Sequence, residues 1–477
     1  MAIKPGVNAY LIAQSDTFRK EYAPGISDQM RRFGKTTALI NLKSRELDNS
    51  RIEYELKSLN NRSSRLSRDV MAPMPDPGIG QYTRFFVNFD HTSPEDNDFM
   101  AIEVAFRTTF VDIEKRMAAT WKGDTNYLDS DVEDGLADVK ETFAKCIHLP
   151  ADGKLATVAT GGKLDDDTDL ADDASAYVNG STTCLIKLDA TSIARIGHGQ
   201  MIEFRTAGGT LVVNNILVTD VHPFYNTINV KITADSVDSA GTAVTNLDNV
   251  AAADQVFLSG NYNVSASGTL DGFFNNDLAY YGKTRNGGAG VNDVLKPRRI
   301  DASRGGALVD LTDRAFQDVG RVAGWQLGDG NAKYSRAVVM SRNETDGIRS
   351  LVKNGAFRME PILQSQINGD IIRATGHDGF VIHDTNLGTI LHVEDDFAEP
   401  GKIDLLDMKD WEMVVPNNAY KDLYMFEGTH GMWTRETESD GSGKPSKYYS
   451  ANGIKMFAFV CTRPLMQTRL MGLKTNM

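Results

Sequence analysis

The segment Thr183–Tyr262 constrains the fold most, because it has the pattern of strands throughout. Five apolar stretches in it are separated by Gly and Asn/Asp turns: CLIKLD, MIEFRT, TLVVNNILVTDV, NTINVKIT and DQVFLSG. Apolar and β-branched stretches of this length, bounded by turn residues, are typical of strands. Five short strands within so few residues predict a small β-barrel or sandwich. We interpret it as a domain inserted into a larger fold.

Helical spacing appears before this segment. One apolar stripe runs through Ser130–Ile147 and consists of Val132, Leu136, Val139, Phe143 and Ile147. Ser130 and Glu133 form a capping box, and Pro150 ends the predicted helix. A shorter apolar face over 110–121 predicts another helix. The acidic stretch Gly161–Ser175 predicts a structureless linker.

The rest of the chain mixes helices and strands without βαβ alternation, which predicts the α+β class. Helices are predicted over Leu311–Leu327 and from Ser341, where Glu344 completes a cap, to Gly355. Predicted strands are SRAVVMS, FVIHD, TILHVED, WEMVVPN, KDLYMFEG and a long one around Gly453–Thr462.

Two strands are also predicted near the N-terminus. Tyr82–Asp90 and Phe99–Arg107 flank a polar tip, His91–Asp98, and together form a long two-stranded excursion. Because an isolated hairpin is marginal in water, the excursion needs another surface to lie on. An imperfect apolar stripe predicts a helix over Arg45–Leu59.

Charge is distributed unevenly along the chain. Between Lys4 and Arg68 there are 13 Lys and Arg against 7 Asp and Glu, whereas the whole chain has a net charge of −13. A basic, weakly self-packing arm on an acidic body predicts a partner outside its own domain, either a polyanion or the acidic body of a neighbouring copy. The candidate contact residues are Arg31, Arg32, Lys35, Arg45, Arg51, Tyr82, Arg84, Phe86 and Phe89.

The aromatic residues of the excursion fit two kinds of partner. Together with Arg84 they could stack on single-stranded nucleic acid. The tip beside them, PEDND, is acidic and would repel phosphate. Contact with protein is therefore favoured.

Motifs for catalysis or metal binding are incomplete. Gly34–Thr37 ends like a phosphate loop, but Gln29 stands where its first glycine is required. His377, His383 and His392 match no zinc spacing, and the acidic run at 165–173 lacks the order of a calcium loop. We predict no enzymatic activity, no cofactor and no metal.

Two further patterns bear on location. The chain has no run of 18 apolar residues and no signal-peptide core near its N-terminus. Cys146, Cys184 and Cys461 lie far apart, which is typical of buried thiols in a reducing compartment. We expect neither a membrane partner nor secretion.

The order of these parts resembles the major capsid proteins of tailed double-stranded DNA phages, which share the Hong Kong 97 fold. In that family's terms the segments are an N-arm (1–64), an E-loop (65–110), a P-domain (111–182) with a spine helix (130–147), an inserted β-domain (183–262), an A-domain (263–400) and the remaining P- and A-domain strands with the C-terminal strand (401–477). Leu270–Gly287 looks like part of the A-domain. Thr462–Leu473 looks like the family's closing strand.

The resemblance implies a structural subunit that assembles as pentamers and hexamers into an icosahedral head around double-stranded DNA, which it contacts without sequence specificity. It also implies a portal, a separate scaffolding protein (because the arm begins almost at once), assembly in the host cytoplasm and a final location in the virion. Whether a decoration protein binds the inserted domain is left open. The family's Lys–Asn crosslink has no recognisable motif here, so none is expected. The alternatives are an encapsulin-like nanocompartment shell and a DNA-binding accessory virion protein.

Overall fold

The computed structural model describes residues 11–12, 15, 34–47, 50–56, 83–89, 99–109, 111, 113, 139–150, 152–164, 180–189, 193–222, 225–260, 262, 268–285, 295–312, 314–315, 318–319, 336–353, 358–361, 380–384, 388–417, 422–437 and 444–474. Within these ranges, helices described over five or more consecutive residues are α1 (Lys35–Leu39), α2 (139–146), α3 (Leu270–Phe274) and α4 (Arg342–Lys353). Short 3₁₀ helices cover Ile193–Arg195, Met408–Asp410 and Pro464–Met466.

The strands of the described residues are β1 (Asn41–Ser44), β2 (Arg51–Leu56), β3 (Thr83–Asn88), β4 (Met100–Thr109), β5 (Ala156–Leu164), β6 (Thr183–Leu188), β7 (Met201–Arg205), β8 (Leu211–His222), β9 (Thr227–Val237), β10 (Gln255–Leu258), β11 (Arg298–Asp301), β12 (Arg336–Met340), β13 (Arg358–Pro361), β14 (Phe380–Asp384), β15 (Gly388–Glu394), β16 (Ile403–Asp407), β17 (Trp411–Val415), β18 (Tyr424–Met425), β19 (Thr434–Thr437), β20 (Pro445–Cys461) and β21 (Thr468–Met471). Many strands with few helices make a mixed α+β protein, as predicted.

Six strands close into a barrel in the order β10-β5-β6-β9-β8-β7, and every neighbouring pair is antiparallel. The five strands predicted between Thr183 and Tyr262 are confirmed. Of the two predicted arrangements, barrel or sandwich, the structure has the closed barrel. Its interior is a separate apolar cluster that includes Phe204, Ile216 and Val256, each fully buried. The inserted-domain assignment stays a prediction.

Strand β5 corrects the linker prediction. Gly161–Leu164 belong to β5 and pair with β6, so the first part of the predicted linker is a barrel strand. The pattern ATVATGGKL hides this strand because two glycines and two small alanines weaken its apolar alternation. Residues 165–179, the rest of that stretch, lie outside the described residues.

A seven-stranded sheet runs in the order β11-β21-β16-β12-β15-β14-β13. Its central strand β12 is buried on both faces: Ala337 and Val339 belong to one apolar cluster, Val338 and Met340 to another. Strands buried on both faces read as continuous apolar runs, which explains why this strand was predictable. Ser341 caps α4 after it, since the Asn343 amide donates to Ser341 Oγ (3.2 Å) and the hydroxyl donates to Glu344 Oε2.

A third sheet is built around the 17-residue strand β20. β4 pairs along one edge and β18 and β19 along the other, β17 pairs with the C-terminal end of β20, and β1 extends the sheet by pairing parallel to β17. Two connections join this sheet to the seven-stranded one: β16 runs into β17 through Met408–Asp410, and β20 runs into β21 through Pro464–Met466.

Two predictions near the N-terminus are wrong. Arg51–Leu56 is strand β2 and not part of a helix, because Ile52 and Tyr54 alternate with exposed charges and pair across from Val87 and Phe85. The excursion is also not a hairpin of β3 with β4. β3 pairs with β2, and β4 pairs with β20, more than 300 positions away in sequence.

The structure describes only parts of the other predicted helices. Within Ser130–Ile147, the described residues 139–146 are helical and bury Val139 and Phe143, whereas the capping box lies outside the described residues. Within 110–121, positions 111 and 113 are helical. Within Leu311–Leu327, positions 314–315 and 318–319 are helical, and Val319 is fully buried.

Candidate inter-subunit surface

Strands β2 and β3 form a two-stranded ribbon with two different faces. Ile52 and Tyr54 of β2 and Phe85 and Val87 of β3 are buried on the inner face. The outer face carries Arg51, Glu53, Glu55, Arg84 and Phe86. Because successive side chains of a strand point to opposite faces, this register alone divides the ribbon into a packed side and an open side.

The inner face is fixed to the body by aromatic packing. Phe85 stacks on Tyr54 within the ribbon, with ring centroids 5.4 Å apart. On its other side it meets Tyr280 at 5.3 Å and Tyr281 at 5.5 Å, two residues that follow α3. Aromatic pairs at these distances add about 0.5–1.5 kcal/mol each beyond the apolar area that they bury. The ribbon is therefore anchored at one face.

The open face of the ribbon combines charge with an exposed ring. Arg84 lies between two carboxylates of the paired strand, 3.3 Å from Glu53 and 3.7 Å from Glu55. Phe86, opposite Glu53, leaves 42% of its surface exposed. Exposed aromatic and Arg side chains are enriched where proteins contact one another. β2 and β3 pair with each other and with no other described strand.

Strand β1 is held to the body by one buried carboxylate. Glu412 of β17 accepts hydrogen bonds from Lys43 Nζ, from Arg45 Nη2 (3.1 Å) and from the Tyr54 hydroxyl (3.3 Å). Burial raises the pKa of Tyr54, with the Glu412 charge adding to the rise and Arg45 opposing it. The hydroxyl therefore stays protonated and donates to Glu412.

A second buried carboxylate holds α1. Asp395, after β15, accepts hydrogen bonds from the hydroxyl and amide of Thr36 (2.6 and 3.2 Å) and from the Phe397 amide (3.2 Å), and lies 3.1 Å from His148 Nε2. Burial by itself raises the pKa of Asp395, but His148 and these hydrogen bonds more than reverse that and hold it well below its ordinary value. Asp395 is therefore ionised at neutral pH, and we call this set of contacts the Asp395 clasp.

A third contact lies nearer the N-terminus. The Met432 amide donates to Ser15 Oγ (2.9 Å), and Ser15 Oγ donates to the carbonyl of Leu11 (2.8 Å), which is fully buried. Gly431 lies so close that a Cβ there would be 2.3 Å from Ser15 Oγ, and its φ of +71° also favours glycine.

These contacts correct the prediction of a weakly self-packing arm. At 11–15 and 34–56, the described part of the arm packs on its own chain. Sequence analysis missed Glu412 and Asp395 because a single carboxylate at a strand end resembles any surface charge. The available signal was an acidic residue next to an apolar run on one side, since Asp395 follows TILHVE and Glu412 precedes MVV.

The nine candidate contact residues fall into three groups. Arg51, Arg84 and Phe86 are exposed. Lys35 begins α1 and is half-buried, Arg45 is engaged by Glu412 and the Tyr54 ring, and Phe89 is 4% exposed and stacks on Phe99. Arg31, Arg32 and Tyr82 lie outside the described residues. Arg84 and Phe86 are therefore the core of the candidate surface.

A charged cleft of about 690 Å³ lies where the barrel meets the seven-stranded sheet. Arg469 pairs with Asp404 through Nε and Nη2 (2.6 and 2.9 Å) and with Asp271, and Lys402 joins Asp271 to Glu399 (3.2 and 2.7 Å). Burial opposes ionisation of Asp271, but Arg469 and Lys402 hold its pKa well below the ordinary value. The charges of Arg469, Asp271, Lys402 and Glu399 in the lining of the cleft pair with one another.

Of the groups weighed for metal binding, the side chain of His392 is described and buried, whereas His377 and the acidic run at 165–173 lie outside the described residues. Burial lowers the pKa of His392 to about 4, helped by the charges of Arg349 and Lys35, and its Nε2 lies 3.2 Å from Thr345 Oγ1. Asp395 is the clasp described above. Within the described ranges, no group of three or more His, Cys, Asp or Glu side chains could hold a metal ion.

No helix among the described residues is long and apolar enough to cross a membrane.

Comparisons with known proteins give structural likeness alone. No protein-family model matches the chain, and no curated protein matches it. Among solved structures, the capsid asymmetric unit of cyanophage A-1(L) is similar at 10% identity over 92% of each chain, with a TM-score of 0.42. The procapsid of satellite phage P4 with its size determination protein is similar at 8% identity over 99% of this chain and 93% of that one, with a TM-score of 0.36.

A third likeness covers less of the chain. The SrpI encapsulin of Synechococcus elongatus PCC 7942 is similar at 12% identity over 39% of this chain and 57% of that one, with a TM-score of 0.23. The cyanophage and satellite phage structures, which are similar over nearly the whole chain, come from capsid assemblies. These identities are too low to assign the chain to a family.

Proposed function

We propose that this chain is a shell subunit, the major capsid protein of a tailed double-stranded DNA phage. The observation that carries the proposal is the ribbon: its inner face is fixed by Phe85, while its outer face presents Arg84 and Phe86. A two-stranded ribbon is marginal by itself, so an open face beside such an anchor fits a second surface supplied by another subunit.

In this proposal copies assemble as pentamers and hexamers into a closed icosahedral head. In a symmetric shell the same contact is repeated many times, so each individual contact need not be strong. A net charge of −13 suits a wall against which packaged DNA must move, since a strongly basic lining would hold DNA by releasing its counterions. A separate scaffolding protein and a portal act during assembly in the host cytoplasm.

Negative-stain electron microscopy of the full chain, purified alone and after co-expression with the products of neighbouring genes, tests the proposal. We expect closed particles of uniform size. Nucleic acid inside particles formed with the packaging machinery favours the phage head, and enclosed enzyme favours a nanocompartment. Monomers or dimers under every assembly condition would contradict a shell of either kind.

A further inference from the structure

The two connections between the sheets lie side by side and are cross-linked by hydrogen bonds. The Thr462 amide donates to the carbonyl of Asp410 (2.8 Å), and the Asp407 amide donates to Gln467 Oε1 (2.8 Å). Trp411 Nε1 lies 3.4 Å from the same oxygen. These two connections, 408–410 and 462–467, form a double crossover that joins the two sheets.

Two buried carboxylates occupy the crossover. Asp407 is 1% exposed and Asp410 is 4% exposed. Asp407 Oδ1 and Asp410 Oδ2 are buried without a hydrogen-bond partner among the described residues, and Asp407 Oδ2 has only an ion pair with Lys409 Nζ. Buried charges are normally paired and hydrogen-bonded, so such oxygens at both ends of the short segment 407–410 are unusual.

The cations nearby compensate these carboxylates only in part. Lys409 Nζ lies 3.2 Å from Asp407 and Arg463 Nε lies 3.6 Å from Asp410, but their side chains are 42% and 53% exposed. Solvent screens such partners. The other ionisable groups on elements packed here are Arg336, opposite Asp407 in the β12–β16 register, the buried Cys461 thiol and Arg285.

We propose that Asp410, with Asp407 beside it, makes the double crossover a hinge that proton binding stiffens and proton loss loosens. A protonated Asp410 leaves one negative charge in the crossover and gains a hydroxyl that can donate a hydrogen bond. An ionised Asp410 adds a second negative charge to that of Asp407 within the buried segment 407–410. Their repulsion opposes the hydrogen bonds that tie the two connections together.

The direction of the pH effect follows from the ionisation of Asp410. Burial, with the charge of Asp407, raises the pKa of Asp410 from 3.8 to about 6, although Arg463 and Lys409 oppose the rise. The folded chain therefore holds this proton more tightly than the unfolded chain. The stabilisation that the proton provides is present at low pH and is lost as pH rises through about 6.

Hydrogen exchange of the full-length protein, measured by mass spectrometry at about pH 5 and about pH 7.5 and corrected for intrinsic rates, tests the hinge. Peptides covering 407–411 and 462–468 report on it, and barrel peptides serve as the internal reference. We expect exchange at the crossover to be about tenfold faster at the higher pH, relative to the barrel. Asp410→Asn, which cannot ionise, should abolish this difference.

The matched control is Asp235→Asn, the same change at an exposed site on β9, which should behave like the unmodified protein. If Asp410→Asn does not fold, Asp407→Asn gives a second test, because loss of its charge lowers the pKa of Asp410 and should move the transition to lower pH. An unchanged pH dependence in Asp410→Asn, or none in the unmodified protein, would overturn the inference. Both results are independent of whether the protein forms a shell.

Discussion

The barrel and the ribbon are both antiparallel, yet they are stabilised in opposite ways. Each barrel strand pairs on both sides, and the barrel encloses its own apolar cluster. β2 and β3 pair with each other and with no other described strand, and their buried side chains belong to the cluster of the body. A closed barrel has no edges to protect, whereas a ribbon has two.

This difference separates two roles. The barrel satisfies its own hydrogen bonds and core, so we expect it to tolerate changes elsewhere in the chain. The ribbon depends on Phe85 and its ring partners, and the clasps at Glu412 and Asp395 hold the strands beside it. A part that depends on others for its stability is suited to form contacts between subunits.

The largest expected effect comes from removing the ring that anchors the ribbon. Phe85→Ala should lower the free energy of unfolding of the ribbon and body by about 3–5 kcal/mol, because the ring is fully buried among Tyr54, Tyr280 and Tyr281. Hydrogen exchange should rise at 50–56 and 83–89 and stay unchanged in the barrel.

Phe204→Ala, at a fully buried ring inside the barrel, is the matched control. It should raise exchange in the barrel strands β5–β10 and leave the ribbon protected. If either change loosened both regions equally, the separation of barrel and ribbon would be wrong.

A smaller effect is expected at the Asp395 clasp. Thr36→Val removes a hydroxyl that donates to Asp395 (2.6 Å) and should cost about 1–3 kcal/mol. The lowered pKa of Asp395 means that its contribution is present above about pH 4 and is lost as pH falls further. Limited proteolysis near α1 should therefore speed up in acid, and Thr36→Val should shift that onset to higher pH.

Glu412→Gln should have a still smaller effect. It keeps the shape of the side chain and removes the charge that holds Lys43 and Arg45, whose side chains are 47% and 39% exposed. Because solvent already screens those cations, we expect a loss of about 1 kcal/mol in a chemical denaturation series. A loss as large as that of Phe85→Ala would mean that charge, and not ring packing, anchors this region.

The smallest effect on folding is expected at the open face. Phe86→Ala should change the free energy of unfolding by less than about 0.5 kcal/mol, since 42% of the ring is already exposed. Thermal unfolding checks this. A large loss would show that the ring packs within its own chain, and the open face would then need another explanation.

The sequence predicts local pattern well and pairing poorly. Strands β8 and β12 and the part of β20 from Gly453 onward follow from their apolar runs, and α4 from Ser341 and Glu344. The partners of β3 and β4 do not follow, because those pairings join distant segments and depend on the whole sheet. RIEYEL fits a helical stripe and a strand alternation equally in isolation, and Phe85 and Val87 across from it decide for the strand.

The sequence predicted that the excursion contacts protein, but not which of its residues are exposed. The aromatic and basic residues of the excursion indicated protein contact, but which of them face outward depends on register. Phe86 and Phe89 have similar sequence contexts, yet one ring is exposed and the other buried. The anchoring roles of Glu412 and Asp395 depend on the order of the strands in the sheets, which cannot be read from the sequence.

Assembly of a charged variant at the open face tests the central claim most directly. Phe86→Asp should leave a folded subunit that forms no closed particles in negative stain, because a carboxylate would replace the ring at the subunit contact. Tyr225→Asp, at an equally exposed aromatic ring beside β9, should leave assembly intact. Normal particles from folded Phe86→Asp would contradict the account.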